Sequence, residues 1–385
     1  MQGPRACAGM LASRVGSWAS AMSAPVFIDT PSALAEHATR WAQAPWLALD
    51  TEFVRVDTYY PKLCLIQVSD TRSSVCVDTL ALQDLSPLLD VVNHAGVLSV
   101  LHAASQDLEI FVQLNRQVPA PIFDTQVAAT LLGLGDQIGY AGLVEKRLGL
   151  PVDKSLSRTD WSRRPLKQNE IAYAADDVRH LAEMYPALRA ELEARGRLAW
   201  LEEDCARMHD PARYETKPED AWRRLKGLQR MTAQEQVVAA RLAAWREEEA
   251  QRRNRPRKWI LEDEPIYRLA QRPPQDLAQL QALNVLPSKT LERRGAALLE
   301  VIADARSQPA VALAQADELS PGQTSALRTL QDALQKLAQE LDLPASYLAP
   351  RSDLGELVRK RAAADIPLLS GWRRAAAGEQ LLMLL

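Results

Sequence analysis

An apolar run, Trp46-Leu47-Ala48-Leu49, leads straight into Asp50-Thr51-Glu52-Phe53, so a segment built like a buried strand delivers two carboxylates, one residue apart, at its end. Side chains alternate faces along a strand, which puts Asp50 and Glu52 on the same side and close together. Like charges so placed repel. Two settings suit them: an exposed strand end where water screens both, or a site where they share a divalent cation, since a hard ion such as Mg²⁺ prefers carboxylate oxygen. The pair by itself leaves both open.

The surrounding pattern is α/β. Val26-Phe27-Ile28 reads as a short strand, and Thr30-Pro31-Ser32 opens a helix running to about Gln43, with Pro31 at the tolerated first-turn position. After 46–53, the runs 63–69 and 74–78 read as two strands joined by a turn at Asp70-Thr71-Arg72, which predicts an antiparallel portion of sheet. A helix near 85–94, a strand over 97–102 and a helix starting at Ser105 follow, then the strand Ile122-Phe123-Asp124 and helices over 125–132 and 142–148. A mixed sheet flanked by helices is the expected architecture.

Further polar residues fall at telling places. Asp107 sits in the first turn of a helix directly after a strand, where open α/β sheets place their ligands and where a carboxylate also suits the helix dipole. In 169–181 the spacing of Ile171, Ala174, Ala175, Val178 and Leu181 marks a helix with one buried face. Tyr173 and Asp177 stand four residues apart on it, so a phenol and a carboxylate can address one point or simply bond to each other. Asp124 reads as a helix cap with Thr125, His102 as the end of a strand, and Gln67, Trp161 and Arg163 as either substrate contacts or supports of the sheet.

Together these pieces resemble one family. Asp50-Thr51-Glu52-Phe53, the segment from His102 through Asp107 to Phe111, and Tyr173-Ala174-Ala175-Asp176-Asp177-Val178 look like the three motifs of the DEDD-type 3′–5′ exonucleases, in the tyrosine variant. Phe123-Asp124-Thr125-Gln126, Leu143-Val144-Glu145, Asp153-Lys154-Ser155 and Arg158-Thr159-Asp160-Trp161 through Leu166 are closer still to the ribonuclease D family, over about 26–201. The resemblance implies a ribonuclease H-like exonuclease domain and a metal-dependent 3′–5′ exoribonuclease that releases nucleoside 5′-monophosphates and trims structured RNA such as tRNA precursors. Asp50, Glu52, Asp107 and Asp177 would then hold two divalent cations, Mg²⁺ or Mn²⁺, roughly 4 Å apart. Tyr173 would orient the attacking water, because a phenol with an ordinary pKa near ~10 is a poor base at neutral pH. A proofreading-type DNA exonuclease shares the same carboxylates and is the enzymatic alternative. A nucleic-acid-binding scaffold is the other, and it predicts a lost carboxylate, of which none is missing.

At 385 residues the chain suggests two or three domains. No apolar run approaches the roughly 20 residues of a membrane helix. Cys7, Cys64, Cys76 and Cys205 show neither CxxC spacing nor histidine partners and read as free thiols of a reducing, cytoplasmic compartment. Residues 1–24 carry Arg5 and Arg14 but no acid; they loosely fit a transit peptide, or a disordered extension from an upstream start ahead of Met22. The exonuclease domain is expected over 25–214. Beyond it, Thr232 capping a long helix, then Arg255-Pro256 and Trp259-Ile260-Leu261, resembles the helicase and ribonuclease D C-terminal (HRDC) domain over 215–303, with a more diverged all-α copy over 320–385 and a link at 304–318. Residues 219–302 carry 16 basic and 12 acidic side chains, net +4, and 320–385 carry 8 and 7, net +1, leaving −8 of the formal −3 for the rest. An acidic part that expects cations beside a more basic one suits a phosphate-backbone ligand. Arg252, Arg253, Arg255, Arg257, Lys258 and Trp259 are the candidate RNA contacts, the alternative being a solvated loop. A monomer with RNA as its partner is the expectation.

Overall fold

The computed structural model describes residues 25–70, 72–153, 155–313 and 319–385. The expected extension at 1–24, Lys154 of the Asp153-Lys154-Ser155 motif and most of the later part of the 304–318 link lie outside the described residues. The chain forms two compact units. One comprises residues up to Val54, Leu63–Pro211 and Pro321–Leu385; the other comprises Arg55–Lys62 and Ala212–Ser320. The second all-α region therefore belongs with the sheet, and eight residues following its central strand belong with the first helical region.

The first unit is built on a six-stranded sheet: β1 Val26–Ile28, β2 Trp46–Val54, β3 Lys62–Ser69, β4 Ser74–Asp78, β5 Leu98–Leu101 and β6 Ile122–Asp124, in the order β1-β4-β3-β2-β5-β6. β3 and β4 are antiparallel, as expected, with Ile66 opposite Val77, whereas β1–β4, β2–β5 and β5–β6 are parallel; Thr71 of the expected turn lies outside the described residues. Leu47, Ala48 and Leu49 are buried because helices cover both faces of this mixed sheet, the setting that favours a continuous apolar strand over an alternating one. Helices α1 (Pro31–Trp41), α2 (Ser86–Val92), α3 (Ser105–Asn115), α4 (Thr125–Leu131), α5 (Tyr140–Leu148), α6 (Gln168–Ala194) and α7 (Leu198–Ala206) flank it. Thr30 takes the cap position of α1 without a side-chain cap bond, leaving that start to Pro31. Under α6 lies an apolar cluster of Cys64, Leu65, Cys76, Trp161, Leu166, Ile171, Ala174 and Ala175, so the interior-facing stripe read from the sequence does seat this helix on the sheet.

The second unit is all helical apart from Arg55–Lys62. It contains α8 (Ala233–Arg253), α9 (Arg257–Ile260), α10 (Asp263–Gln271), α11 (Leu277–Ala282) and α12 (Ser288–Ser307) around a core that includes Leu242, Ile266, Leu269, Leu298 and Ile302. Thr232 caps α8 with a reciprocal Thr232–Glu235 pair, and Asn254 ends it in the left-handed conformation that asparagine tolerates. The remaining helices α13 (Pro321–Glu340), α14 (Ala345–Leu348) and α15 (Arg351–Lys360), with short turns to Leu382, are part of the first unit. Among the described residues no helix is long and apolar enough to cross a membrane.

Candidate active site

The parallel strands β2, β5 and β6 finish on one edge of the sheet, and open α/β sheets bind ligands beyond such carboxyl ends. Three acids converge there. Carboxylate oxygens of Asp50 and Glu52 from β2 and of Asp177 from α6 all lie within 4.8 Å of one another, and all three residues are partly buried. Burial pushes each carboxyl up, and mutual repulsion adds to it. Asp50 stands well above the usual range, first from lost hydration and then from Asp107, Asp177 and Glu52. Glu52 rises to about 8 through burial, Asp177 and Asp107. Asp177 rises to about 7 through burial and then Asp176. A cluster of oxygen donors that resists ionising together fits a divalent cation, whose charge would remove both penalties.

Asp107 stands beside this trio rather than within it. It lies buried in the first turn of α3 and accepts a hydrogen bond from the Thr51 hydroxyl, the residue between the two β2 acids. Burial raises its carboxyl to about 7 against the lowering effect of that bond. Its place depends on Asp124 at the end of β6. One Asp124 oxygen accepts from the backbone N–H of Ala103 (3.1 Å) and Gln126 (2.8 Å), and the other from that of Ala104 (2.9 Å). Asp124 thus caps α4, as the sequence suggested, and also holds the turn into α3, where Ala103 has a φ of 54°. Thr125 donates to the Leu101 carbonyl (3.0 Å) and meets His102 Nδ1 (2.9 Å), so His102 serves this corner, with burial keeping its imidazole below the ordinary pKa.

Tyr173 lies one turn before Asp177 on α6. Burial, then Asp177, Glu52 and Asp50, push its phenol above the ordinary value, so it keeps its proton and acts as a donor. Trp161, almost fully buried, stacks on it with ring centres 6.3 Å apart. Arg163 pairs with Glu170 (2.5 Å), and Arg164 grips Asp78 while donating to the Cys64 carbonyl (2.8 Å), so this segment supports the sheet and the phenol. Tyr140 was not singled out by any motif. Its hydroxyl reaches the carbonyls of Asp176 (3.0 Å) and Asp177 (2.9 Å) and His180 Nδ1 (3.1 Å), which pins the helical turn bearing the carboxylate. Gln67 is fully buried on β3 and its amide has no hydrogen-bond partner among the described residues. Tyr173→Phe is expected to lower kcat by about 10²-fold, the scale of one lost positioning hydrogen bond in the transition state, with metal affinity unchanged. A kcat within twofold of the parent in steady-state assays would remove the phenol from catalysis.

The candidate RNA contacts divide. Arg252 and Arg253 both pair with Glu249 (2.6 Å each), Arg255 with Asp57 (3.0 Å) and Arg257 with Glu247, a residue only 1% exposed. Lys258 is exposed, and Trp259 is 58% exposed with the Arg255 guanidinium 5.9 Å from its ring centre. Arg257 is thus committed to the interior of its own unit.

The fold and its acidic edge define a 3′–5′ exonuclease. Residues 25–193 match the family described as 3'-5' exonuclease, and residues 234–302 match the HRDC domain. Over 92% of this chain, and 96% of theirs, the residues are 37% identical to ribonuclease D of Pseudomonas paraeruginosa; identity to ribonuclease D of Gluconacetobacter diazotrophicus is 40% over 94% and 92%. The crystal structure of Escherichia coli RNase D, an exoribonuclease involved in structured RNA processing, superposes with a TM-score of 0.85 at 32% identity, covering 93% of this chain and 98% of that one. The chain belongs to the ribonuclease D family and is a 3′–5′ exoribonuclease.

Proposed function

We propose that this enzyme trims the 3′ ends of structured RNA, tRNA precursors among them, releasing nucleoside 5′-monophosphates with two divalent cations, Mg²⁺ or Mn²⁺, held by Asp50, Glu52, Asp107 and Asp177. The observation that carries the reading is the convergence of the Asp50, Glu52 and Asp177 carboxylates beside Asp107 and Tyr173. Hydrolysis adds water across the terminal phosphodiester: the P–O3′ bond breaks, the departing nucleotide keeps the phosphate on its 5′ oxygen, and the shortened chain regains a 3′ hydroxyl. When bound, the cations supply Lewis acidity and neutralise charge on the phosphate. The Tyr173 hydroxyl donates to the oxygen of the attacking water and fixes its approach. Asp107, steadied by Thr51 and by the turn that Asp124 holds, completes the acidic set from the α3 side.

In this reading the chain is a monomer of three domains, an exonuclease domain at 25–214 and helical domains at 215–303 and 320–385, the last packed into the same compact unit as the sheet, and it works in the cytoplasm. The buried free thiols of Cys64, Cys76 and Cys205 support a reducing compartment. RNA contact falls to Arg252, Arg253, Lys258 and Trp259, with Arg255 shared between Asp57 and the Trp259 ring; an exposed aromatic among cations suits base stacking beside phosphate. On matched 3′-extended RNA and DNA strands, RNA should be degraded at least about tenfold faster, a discrimination of roughly 1.4 kcal/mol or more, to 5′-mononucleotides and only with divalent metal. Equal rates on the two polymers, or oligonucleotide products, would refute it.

A further inference from the structure

Of the eight residues after β2, Arg55–Pro61 lie outside the strands and Lys62 begins β3, and all eight are built into the helical unit. Tyr59 is their anchor. Its hydroxyl donates to Glu247 Oε1 and accepts from Arg257 (2.8 Å) and Gln251 Nε2 (3.2 Å), and the Arg257 guanidinium lies 4.6 Å from the centre of its ring. The backbone N–H groups of Tyr59 and Tyr60 both donate to Asn254 Oδ1 (3.0 Å each), and Arg255 donates to the carbonyl and the carboxylate of Asp57 (3.0 Å each). Glu247 is buried on α8 and Gln251 is fixed in turn by the Thr216 carbonyl (2.7 Å). A socket of buried charge, ring and paired N–H acceptors is costly to assemble for a surface turn, and Val56, 82% exposed, shows that apolar burial is not its purpose.

The segment also has a defined mechanical position. Neighbouring strands joined by so short a connection form a hairpin, because a parallel crossover needs a dozen or more residues. Its first arm, β2, is paired with β5 at Trp46, Leu47 and Ala48, so the stretch carrying Asp50 and Glu52 lies beyond that register and toward the hairpin tip. The conformation of the tip therefore bears on how Glu52 is presented.

We infer that Tyr59 and Asn254 are positioning residues for the reaction: the bonds they make and receive fix the backbone that directly continues β2, and so the presentation of the carboxylates a few residues before it. The inference rests on the metal-site reading above, and it makes Tyr59 and Asn254 matter even for substrates with no structure to bind. Asn254→Gly keeps the left-handed backbone without strain and removes the shared acceptor, whereas Asn254→Asp keeps the acceptor. Both would be made in the full chain, with Asp177→Asn as the control for the metal site.

Three readouts decide it: tryptic cleavage after Arg55 and Lys62, Mn²⁺ binding by calorimetry in the absence of RNA, and kcat and KM on a single-stranded trinucleotide. Asn254→Gly should speed cleavage, weaken Mn²⁺ binding several-fold and lower kcat by about tenfold with KM within about twofold, in line with the cost of small misplacements of reacting groups. Asn254→Asp should restore all three. Faster cleavage with unchanged Mn²⁺ binding and kcat would overturn the inference, and so would cleavage that does not change at all. Mn²⁺ binding that Asp177→Asn leaves intact would instead refute the metal-site reading on which it rests.

Discussion

Asp177→Asn should abolish hydrolysis, lowering kcat by about 10³-fold or more, since a bound ion contributes several kcal/mol to the transition state and each 1.36 kcal/mol is tenfold. RNA binding and the fold should survive. Indeed the metal-free variant should be the more stable protein near neutral pH, because one of a set of crowded carboxylates has been neutralised. The sign follows from linkage. With Glu52 at about 8 and Asp107 and Asp177 at about 7, the folded chain binds more protons than the unfolded chain from about pH 4 up to about pH 8. Metal-free stability is then lost as pH rises through that window. Thermal midpoints measured in chelator should fall from pH 5 to pH 8 in the parent, fall less in the variant, and recover on adding divalent metal only in the parent. Activity above a tenth of the parent's would take Asp177 out of the site.

The parts of this arrangement that sequence could reveal are those settled within a few residues. Alternation along 46–53 put Asp50 and Glu52 on one face, and four-residue spacing put Tyr173 above Asp177; both hold in the folded chain. The supports are another matter. Asp124 is bonded to Ala103 and Ala104 some twenty positions away, and Tyr140 to carbonyls more than thirty-five positions on, contacts that exist only after β5, β6 and α6 have packed. Thr51 sits between two acids on the opposite face of its strand, where alternation gives no hint that its hydroxyl meets Asp107. The basic run at 252–258 shows a different limit. Charge alone suggested a surface for RNA, yet Arg257 turns inward to Glu247, one of three successive acids on α8, and only the rotation of that helix selects which of them is buried. Likewise, composition divides the chain after Tyr214 and again before Ser320, whereas tertiary contact returns the last helices to the sheet-containing unit.

The most connected polar group in that return is one carboxylate, and Asp204→Ala should be the most destabilising single substitution in the first unit outside its apolar core. Asp204, on α7, is buried and accepts from Arg373, from the Tyr347 hydroxyl (2.5 Å) and from Trp372 Nε1 (3.2 Å). The Arg373 guanidinium lies 4.3 Å from the Trp372 ring centre and 4.9 Å from that of Tyr347, and Trp372 stacks on Trp200 at 4.4 Å. Removing the acid leaves a buried cation with its aromatic faces and the Tyr347 carbonyl but without its ion-pair partner, a loss of about 3–5 kcal/mol. In a unit of this size that lowers the thermal midpoint by on the order of 10 °C. Hydrogen exchange should rise first in α13 and α15. Because α7 packs on β6, the strand that ends in Asp124, loosening there reaches the turn that carries Asp107, and kcat should fall with it. Replacing both partners, Asp204→Leu with Arg373→Met, removes the charges together and should regain part of the midpoint, the shortfall being the Tyr347 hydroxyl and Trp372 Nε1–H left without their acceptor. A single variant that melts within about 2 °C of the parent would mean that the stacking and the other bonds of these helices, Trp372 N–H to Glu203 (2.8 Å) and Arg197 to the Leu341 carbonyl (2.6 Å) among them, hold them without Asp204.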